Sequence, residues 1–252
     1  MENGSTYPHH ALTLRRDGSQ NRETQEDCRE DEFREGSGIL PGDVAHRVFG
    51  PDPGRIEGIE AERPEIAKDQ RQVIAATGLL PVLAFPCRFD AKGTEHAVRF
   101  RGLNVEKHQH SDGWVPVLGS SGMLGIERAL PTEYLRRLDL QNELFGDHIQ
   151  VIGLTRANRF ATIQPTLRGG EPSENEIRNV LEEGGWQRVP IQVQNLPIQL
   201  MGSAWWHDEE GLVLVDARKP NFKKTGFGVL PIDLVLADLS PQMRARFQQS
   251  TD

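Results

Sequence analysis

At 252 residues the chain can bury the core of one or two domains, and its 37 acidic against 29 basic residues leave a formal net charge of −8. That balance argues against nonspecific attraction to nucleic acid or anionic lipid, both of which need a basic surface. Cys28 and Cys87 are the only cysteines, in unlike contexts, so they can build neither a disulfide framework nor a four-ligand zinc site. No run approaches about 18 apolar residues, and the start from Met1 to Thr6 lacks the basic-then-apolar pattern of a signal peptide. A soluble, unexported protein of the reducing cytoplasm is expected, with no nucleic-acid or membrane partner.

From Met1 to about Arg63 the sequence is polar and of mixed charge, broken by Gly36-Ser37-Gly38 and by Gly50 to Gly54. Such a stretch buries too little apolar surface to offset chain entropy, so residues 1–63 are expected to form a disordered, low-complexity acidic arm. The island from Ile39 to Phe49 reads first as linker, with docking on the folded part or on a partner as the other reading. Pro64 at a start and Gly78 at an end bracket a helix with Ile66, Val73 and Ile74 near one face, and the folded domain is expected to begin there. Glu95 to Phe100 and Leu103 to Lys107 alternate around Arg101-Gly102 and predict a β-hairpin.

The strongest helix opens at Leu130-Pro131-Thr132-Glu133, capped by Thr132 or a neighbour. Leu135, Leu138, Leu140 and Leu144 recur at helical spacing until Gly146. Two strands follow, His148 to Leu154 and Arg159 to Gln164, turning at Ala157-Asn158. After a break from Pro165 to Pro172, Ser173 and Glu176 form a capping box for an amphipathic helix ending at Gly184. Beyond Trp205 everything reads as strand, turn and strand. Of Trp205 and Trp206, adjacent strand positions, one is expected in the core and the other at the surface. The order of elements is an α+β pattern.

Chemistry concentrates near the C-terminus, where Asp216, then Asn221 five residues on, then Asp233 twelve beyond, surround two apolar runs. Phosphoryl transfer needs a carboxylate to orient or deprotonate an acceptor hydroxyl, and an amide oxygen and a second carboxylate to hold Mg²⁺ against phosphates. The alternative is a β-hairpin whose Asp, Asn, Pro and Gly only make turns. His108 and His110 have a spacing that could bind a metal from a strand, but no third ligand is evident.

From about Pro64 to Leu239 the chain resembles the kinase-like domain of polyvalent proteins in phages and conjugative elements, a divergent relative of the serine/threonine/tyrosine kinases. The resemblance rests on Gly93-Thr94-Glu95-His96-Ala97-Val98, on Pro131 to Leu138 running into Gln141 to Asp147, and on Ile163-Gln164-Pro165. It rests also on Asp216-Ala217-Arg218-Lys219-Pro220-Asn221 with Pro231-Ile232-Asp233.

The resemblance implies a reduced protein-kinase-like fold: a small β-rich N-lobe with one helix over about 64–166, a linker over about 165–172 and a shortened C-lobe over about 172–252. It implies Mg-ATP as cofactor and a protein hydroxyl as acceptor. Asp216 would be the catalytic Asp, with Arg218 steadying the transferring group; Asn221 and Asp233 would bind the metal. Lys107 would anchor ATP with Glu133 as its partner and Glu143 as competitor, while Gly93 and Thr94 would cover the phosphates. The chain departs from typical kinases in having Leu214-Val215 in place of His-Arg before Asp216. Leu-Val follows Asp233 in place of Phe-Gly, there is one glycine near Gly93 in place of three, and nineteen residues follow Asp233. These departures favour the alternative, a catalytically inactive pseudokinase or protein-interaction module.

Overall fold

The computed structural model describes residues 38–49, 63–84 and 88–250, and over them the fold is α+β. In chain order come α1 (Pro41–Phe49), α2 (Arg63–Ala76), β1 (Ala91–Lys92), β2 (His96–Arg101), β3 (Asn104–Gln109), β4 (Trp114–Leu118) and β5 (Leu124–Arg128). The middle holds α3 (Pro131–Phe145), β6 (Gln150–Leu154), β7 (Phe160–Pro165), α4 (Glu174–Glu183) and β8 (Gln187–Arg188). The last part holds β9 (Trp205–His207), β10 (Leu212–Val215), β11 (Phe222–Thr225), β12 (Gly228–Pro231), β13 (Val235–Asp238) and α5 (Pro241–Gln248).

An antiparallel five-stranded sheet has the order β1-β2-β3-β7-β6, and a four-stranded one the order β13-β10-β9-β8. Two separate hairpins, β4-β5 and β11-β12, complete the strands. Helix α3 joins the two sheets. Tyr134, Leu135 and Leu138 enter the cluster with Val151, Leu154 and Phe160 of the first sheet. Leu140 enters the cluster of Leu214, Leu234 and Leu236 beside the second.

Most predicted boundaries follow from their local chemistry. At α4 the Ser173 hydroxyl accepts the Glu176 N–H at 3.3 Å and the Glu176 carboxylate accepts the Ser173 N–H at 2.8 Å, a reciprocal cap. At α3 the cap differs from expectation. Leu130 holds the N-cap position and Glu133 accepts its N–H at 2.8 Å, which satisfies one of the donors a helix start leaves open.

Three expectations are corrected. Residues 38–49, assigned to the arm, dock on the folded part: Ile39 and Val151 exchange backbone hydrogen bonds at 2.9 and 2.7 Å, and Val44 is fully buried. Gly42 permits the approach, because a Cβ there would lie 2.8 Å from the Asp139 carboxylate. Residues 1–37 and 50–62 of the arm, with Cys28 among them, and Cys87 lie outside the described residues. Trp205 and Trp206 are both buried, since the second sheet is covered on both faces: Trp206 packs with Val213, Met243 and Phe247, Trp205 with Leu181, Leu214 and Leu234. The chain also ends in a helix where strand was expected. Ser240 caps α5 by accepting the Met243 N–H at 3.2 Å, Pro241 opens it, and Met243 and Phe247, four apart, are fully buried.

The segment after β7 is held as an extra edge on β11 by paired backbone bonds between Gly170 and Lys224. Gly169 is required there, since a Cβ would meet the Lys224 carbonyl at 2.3 Å. Among the described residues no helix is long and apolar enough to cross a membrane.

Candidate functional site

The β11-β12 hairpin closes on itself so that Phe222 faces Pro231, and one step further the Ile232 N–H donates to the Asn221 carbonyl at 2.8 Å. Asn221 and Asp233 are thereby brought to the same end of the hairpin. Across from it, Lys107 near the end of β3 donates from Nζ to the Ile232 carbonyl at 3.2 Å. On the other side, the Asn221 Nδ2 donates to the Asp216 carbonyl at 2.8 Å. Four residues singled out in the sequence, Lys107, Asp216, Asn221 and Asp233, are thus linked through the ends of one hairpin.

Asp216 follows β10 directly with φ 71°, in the left-handed region that a non-glycine residue occupies at a cost and that Asp tolerates better than most. The turn redirects the chain into a tight loop in which the Arg218 N–H returns to the Asp216 carbonyl at 2.8 Å. The Arg218 side chain ion-pairs with the Asp216 carboxylate and fixes its orientation. A backbone held in an uncommon conformation at a candidate reacting group is the pattern by which folds position such groups.

Asp233 lies among three cationic or ionisable neighbours. Arg137 donates to its Oδ1 at 2.7 Å, and Lys107 and His96 act on it through space. Burial pushes its carboxyl up, but Lys107 and then Arg137 and His96 pull harder, holding it well below the usual carboxylate range. The side chain nonetheless keeps 37 % of its surface open. A carboxylate that is paired on one side and still reaches solvent could meet a cation without being fully desolvated.

Arg137, which sequence reasoning did not single out, organises the surroundings of Asp233. It is 2 % exposed, donates to Glu95 at 2.9 Å and to the Leu234 carbonyl at 2.8 Å besides Asp233, and so satisfies its donors on three sides. Glu95, buried and preceding β2, therefore ties the turn carrying Gly93 and Thr94 to the same cluster. His96 shares a 2.8 Å hydrogen bond with the Tyr134 hydroxyl, and burial first, against the opposing pull of Glu95, holds its imidazole below its ordinary value. The available signal for Arg137 was positional: it stands three residues after Tyr134 and four before Gln141, inside the apolar stripe of α3.

Asp147 was likewise missed. It follows the helix-ending Gly146, and its Oδ2 is buried without a hydrogen-bond partner. Burial pushes its carboxyl up to about 6; Lys107 opposes this and Asp233 adds to it.

The remaining predicted residues fall differently. Gly93 and Thr94 lie on the β1-β2 turn, where the Gly93 carbonyl bonds to the His110 ring at 3.0 Å and the Thr94 carbonyl accepts from Ser111 at 3.1 Å. A Cβ at Gly93 would meet the His96 carbonyl at 3.7 Å, an ordinary contact, so among the described residues the position would accept a side chain. The expected pairing of Lys107 with Glu133 is not formed. Glu133 is drawn to the start of α3 by Arg63 at 2.5 Å and by the Leu130 N–H, while Glu143 meets Arg136 at 3.4 Å. The helix face toward Lys107 and Asp233 presents a cation, Arg137, where a carboxylate was expected.

Among the described residues no three His, Cys, Asp or Glu side chains converge on a metal position, which leaves the His108/His110 pair without a third ligand. A Mg²⁺ that takes one carboxylate, one amide oxygen and otherwise water or phosphate needs no such trio. Asp233 and Asn221 fit that description, because the Asn221 nitrogen is committed to Asp216 and its Oδ1 has no protein partner among the described residues. No family model, no curated protein and no solved structure matches this chain.

Proposed function

We propose that the protein is a kinase-like phosphotransferase that uses Mg-ATP to phosphorylate a protein hydroxyl, in keeping with its resemblance to kinase-like domains of phages and mobile elements. The observation that carries the reading is the gathering of Lys107, Asp216, Asn221 and Asp233 around Ile232, through the hydrogen bonds of Lys107 to the Ile232 carbonyl, of Ile232 to Asn221 and of Asn221 to Asp216. The order of parts supports it as well: the lysine strand β3, helix α3, strands β6 and β7, a linker, then the Asp216 loop and a hairpin ending at Asp233.

When bound, Mg-ATP supplies the phosphoryl group and neutralises charge on the phosphates. Asp233 and the Asn221 Oδ1 would hold the metal, and the Lys107 ammonium would bind phosphate oxygens. Arg137 keeps one Asp233 oxygen engaged and thus fixes the direction of the other. Asp216, oriented by Arg218, accepts the proton from the acceptor hydroxyl. The turn at Gly93-Thr94 would cover the phosphates.

A second reading, a pseudokinase that binds a partner without transfer, is favoured by one observation: α3 offers Lys107 no carboxylate, and Arg137 occupies that side of Asp233. Transfer of labelled phosphate from ATP to an unfolded, serine-rich protein separates the two. Incorporation that requires Mg²⁺ and disappears in Asp216→Asn, with ATP binding kept, supports the enzyme. Binding of ATP without incorporation by the unaltered protein would assign it to the second reading.

A further inference from the structure

Beside the Asp216 loop, between α4, β8 and the residues just before β9, lies an open cleft of about 480 Å³. Its size is that of a ligand pocket able to take a few side chains. Four basic residues line it, Arg178, Arg188, Arg218 and Lys219, against two acidic ones, Glu171 and Glu174, in a chain whose net charge is −8. Two of the cations are committed: Arg218 to Asp216, and Lys219 to Glu174 at 3.8 Å. The other two have no carboxylate partner among the described residues. Arg178 has its Nε buried without a hydrogen-bond acceptor, which leaves a polar atom unsatisfied at the cleft wall. Arg188 stacks its guanidinium 5.0 Å over the ring of Trp205, which steadies it and leaves its edge free to donate.

We propose that this cleft binds an acidic peptide segment, with Arg178 and Arg188 engaging its carboxylate or phosphate groups, and that the bound segment carries the acceptor hydroxyl beside Asp216. Only the word acceptor rests on the phosphotransferase reading; the binding of an acidic peptide does not. Arginine suits the task because its planar fork donates two parallel hydrogen bonds to either oxyanion. The overall acidity of the chain opposes a nucleic acid as the occupant, and a concave site adjoining the Asp216 loop suits an extended peptide that presents one hydroxyl.

The test is fluorescence anisotropy without nucleotide, using labelled peptides with a central serine flanked by glutamates, by phosphoserines or by lysines. Either acidic peptide should bind, the lysine peptide should not, and binding should weaken as salt is raised. Arg178→Gln and Arg188→Gln should each weaken it by on the order of tenfold, whereas Lys68→Gln on α2 should leave it unchanged. The tighter of the two acidic peptides identifies the preferred oxyanion. Failure of both acidic peptides to bind, equal binding of the lysine peptide, or full affinity in both arginine variants would overturn the proposal. Binding of an acidic peptide that is never phosphorylated with Mg-ATP would leave the cleft assigned and remove the enzyme reading.

Discussion

Arg137 and Asp147 show how single side chains set the character of the site. Removing Arg137 while Glu95 stays buried leaves an uncompensated charge, a change that costs about 3–5 kcal/mol in other folds. Arg137→Met should therefore destabilise strongly in urea unfolding, and the double variant with Glu95→Gln should recover much of the loss, since both charges are then gone. Additive losses would show that the two side chains act separately. Asp147 gives a pH signature. Its carboxyl is raised in the folded state to about 6 from an unfolded value near 3.8, so the folded state binds more protons between those values and stability falls as pH rises through that window. Asp147→Asn should thus be more stable than the unaltered protein at pH 7, by about 1–2 kcal/mol after allowance for its partial exposure, and no more stable at pH 3. Asp233 has the opposite sign: its carboxyl is depressed, so its contribution is full above the ordinary carboxylate value and is lost only as pH falls through the lower folded value. Of these three residues only Asp233 was legible in the sequence, by its place after a strand. A buried arginine on a helix looks, in one dimension, like any solvated one.

At the level of elements, legibility followed how local the determining chemistry is. Helices α2, α3 and α4 announce themselves by Pro, Gly and capping residues within the element, and the β2-β3 hairpin by its Arg101-Gly102 turn. The β4-β5 hairpin carries Pro116 inside a strand, a residue that a two-stranded ladder accommodates and a propensity reading penalises. Helix α5 is short, with just Met243 and Phe247 as fully buried anchors, and its stability comes from the cluster it joins rather than from its own sequence. Phe247→Ala should cost about 3–5 kcal/mol, measured by chemical denaturation. A change below about 1 kcal/mol would mean that α5 does not close this face. Helix α1 owes its place to Val44 and to the Ile39–Val151 backbone pair. Val44→Asp should release it, seen as loss of amide exchange protection at Ile39 and Val44 with α3 unaffected; retained protection would contradict its docking.

For the whole molecule, the site depends on contacts that no local pattern contains. Lys107 and Ile232 are 125 residues apart in the chain and meet because α3 joins the first sheet to the second, its Arg137 and Gln141 both donating to the Leu234 carbonyl. The sequence offered the candidate residues and their order, but not that a cation on α3 would stand where a carboxylate was expected. The functional reading comes down to whether Asp233 and its neighbours take a metal-bound nucleotide. Thermal unfolding with ATP, with and without Mg²⁺, in the unaltered protein and in Asp233→Ala, tests this most directly. A ligand at about 100 times its Kd adds about 2.7 kcal/mol to the folded state, which raises Tm by about 2–4 °C per kcal/mol in a domain of this size. The account predicts such a rise with Mg-ATP, little with ATP alone, and its loss in the variant; an unchanged Tm in the unaltered protein, or an equal rise in Asp233→Ala, would contradict it.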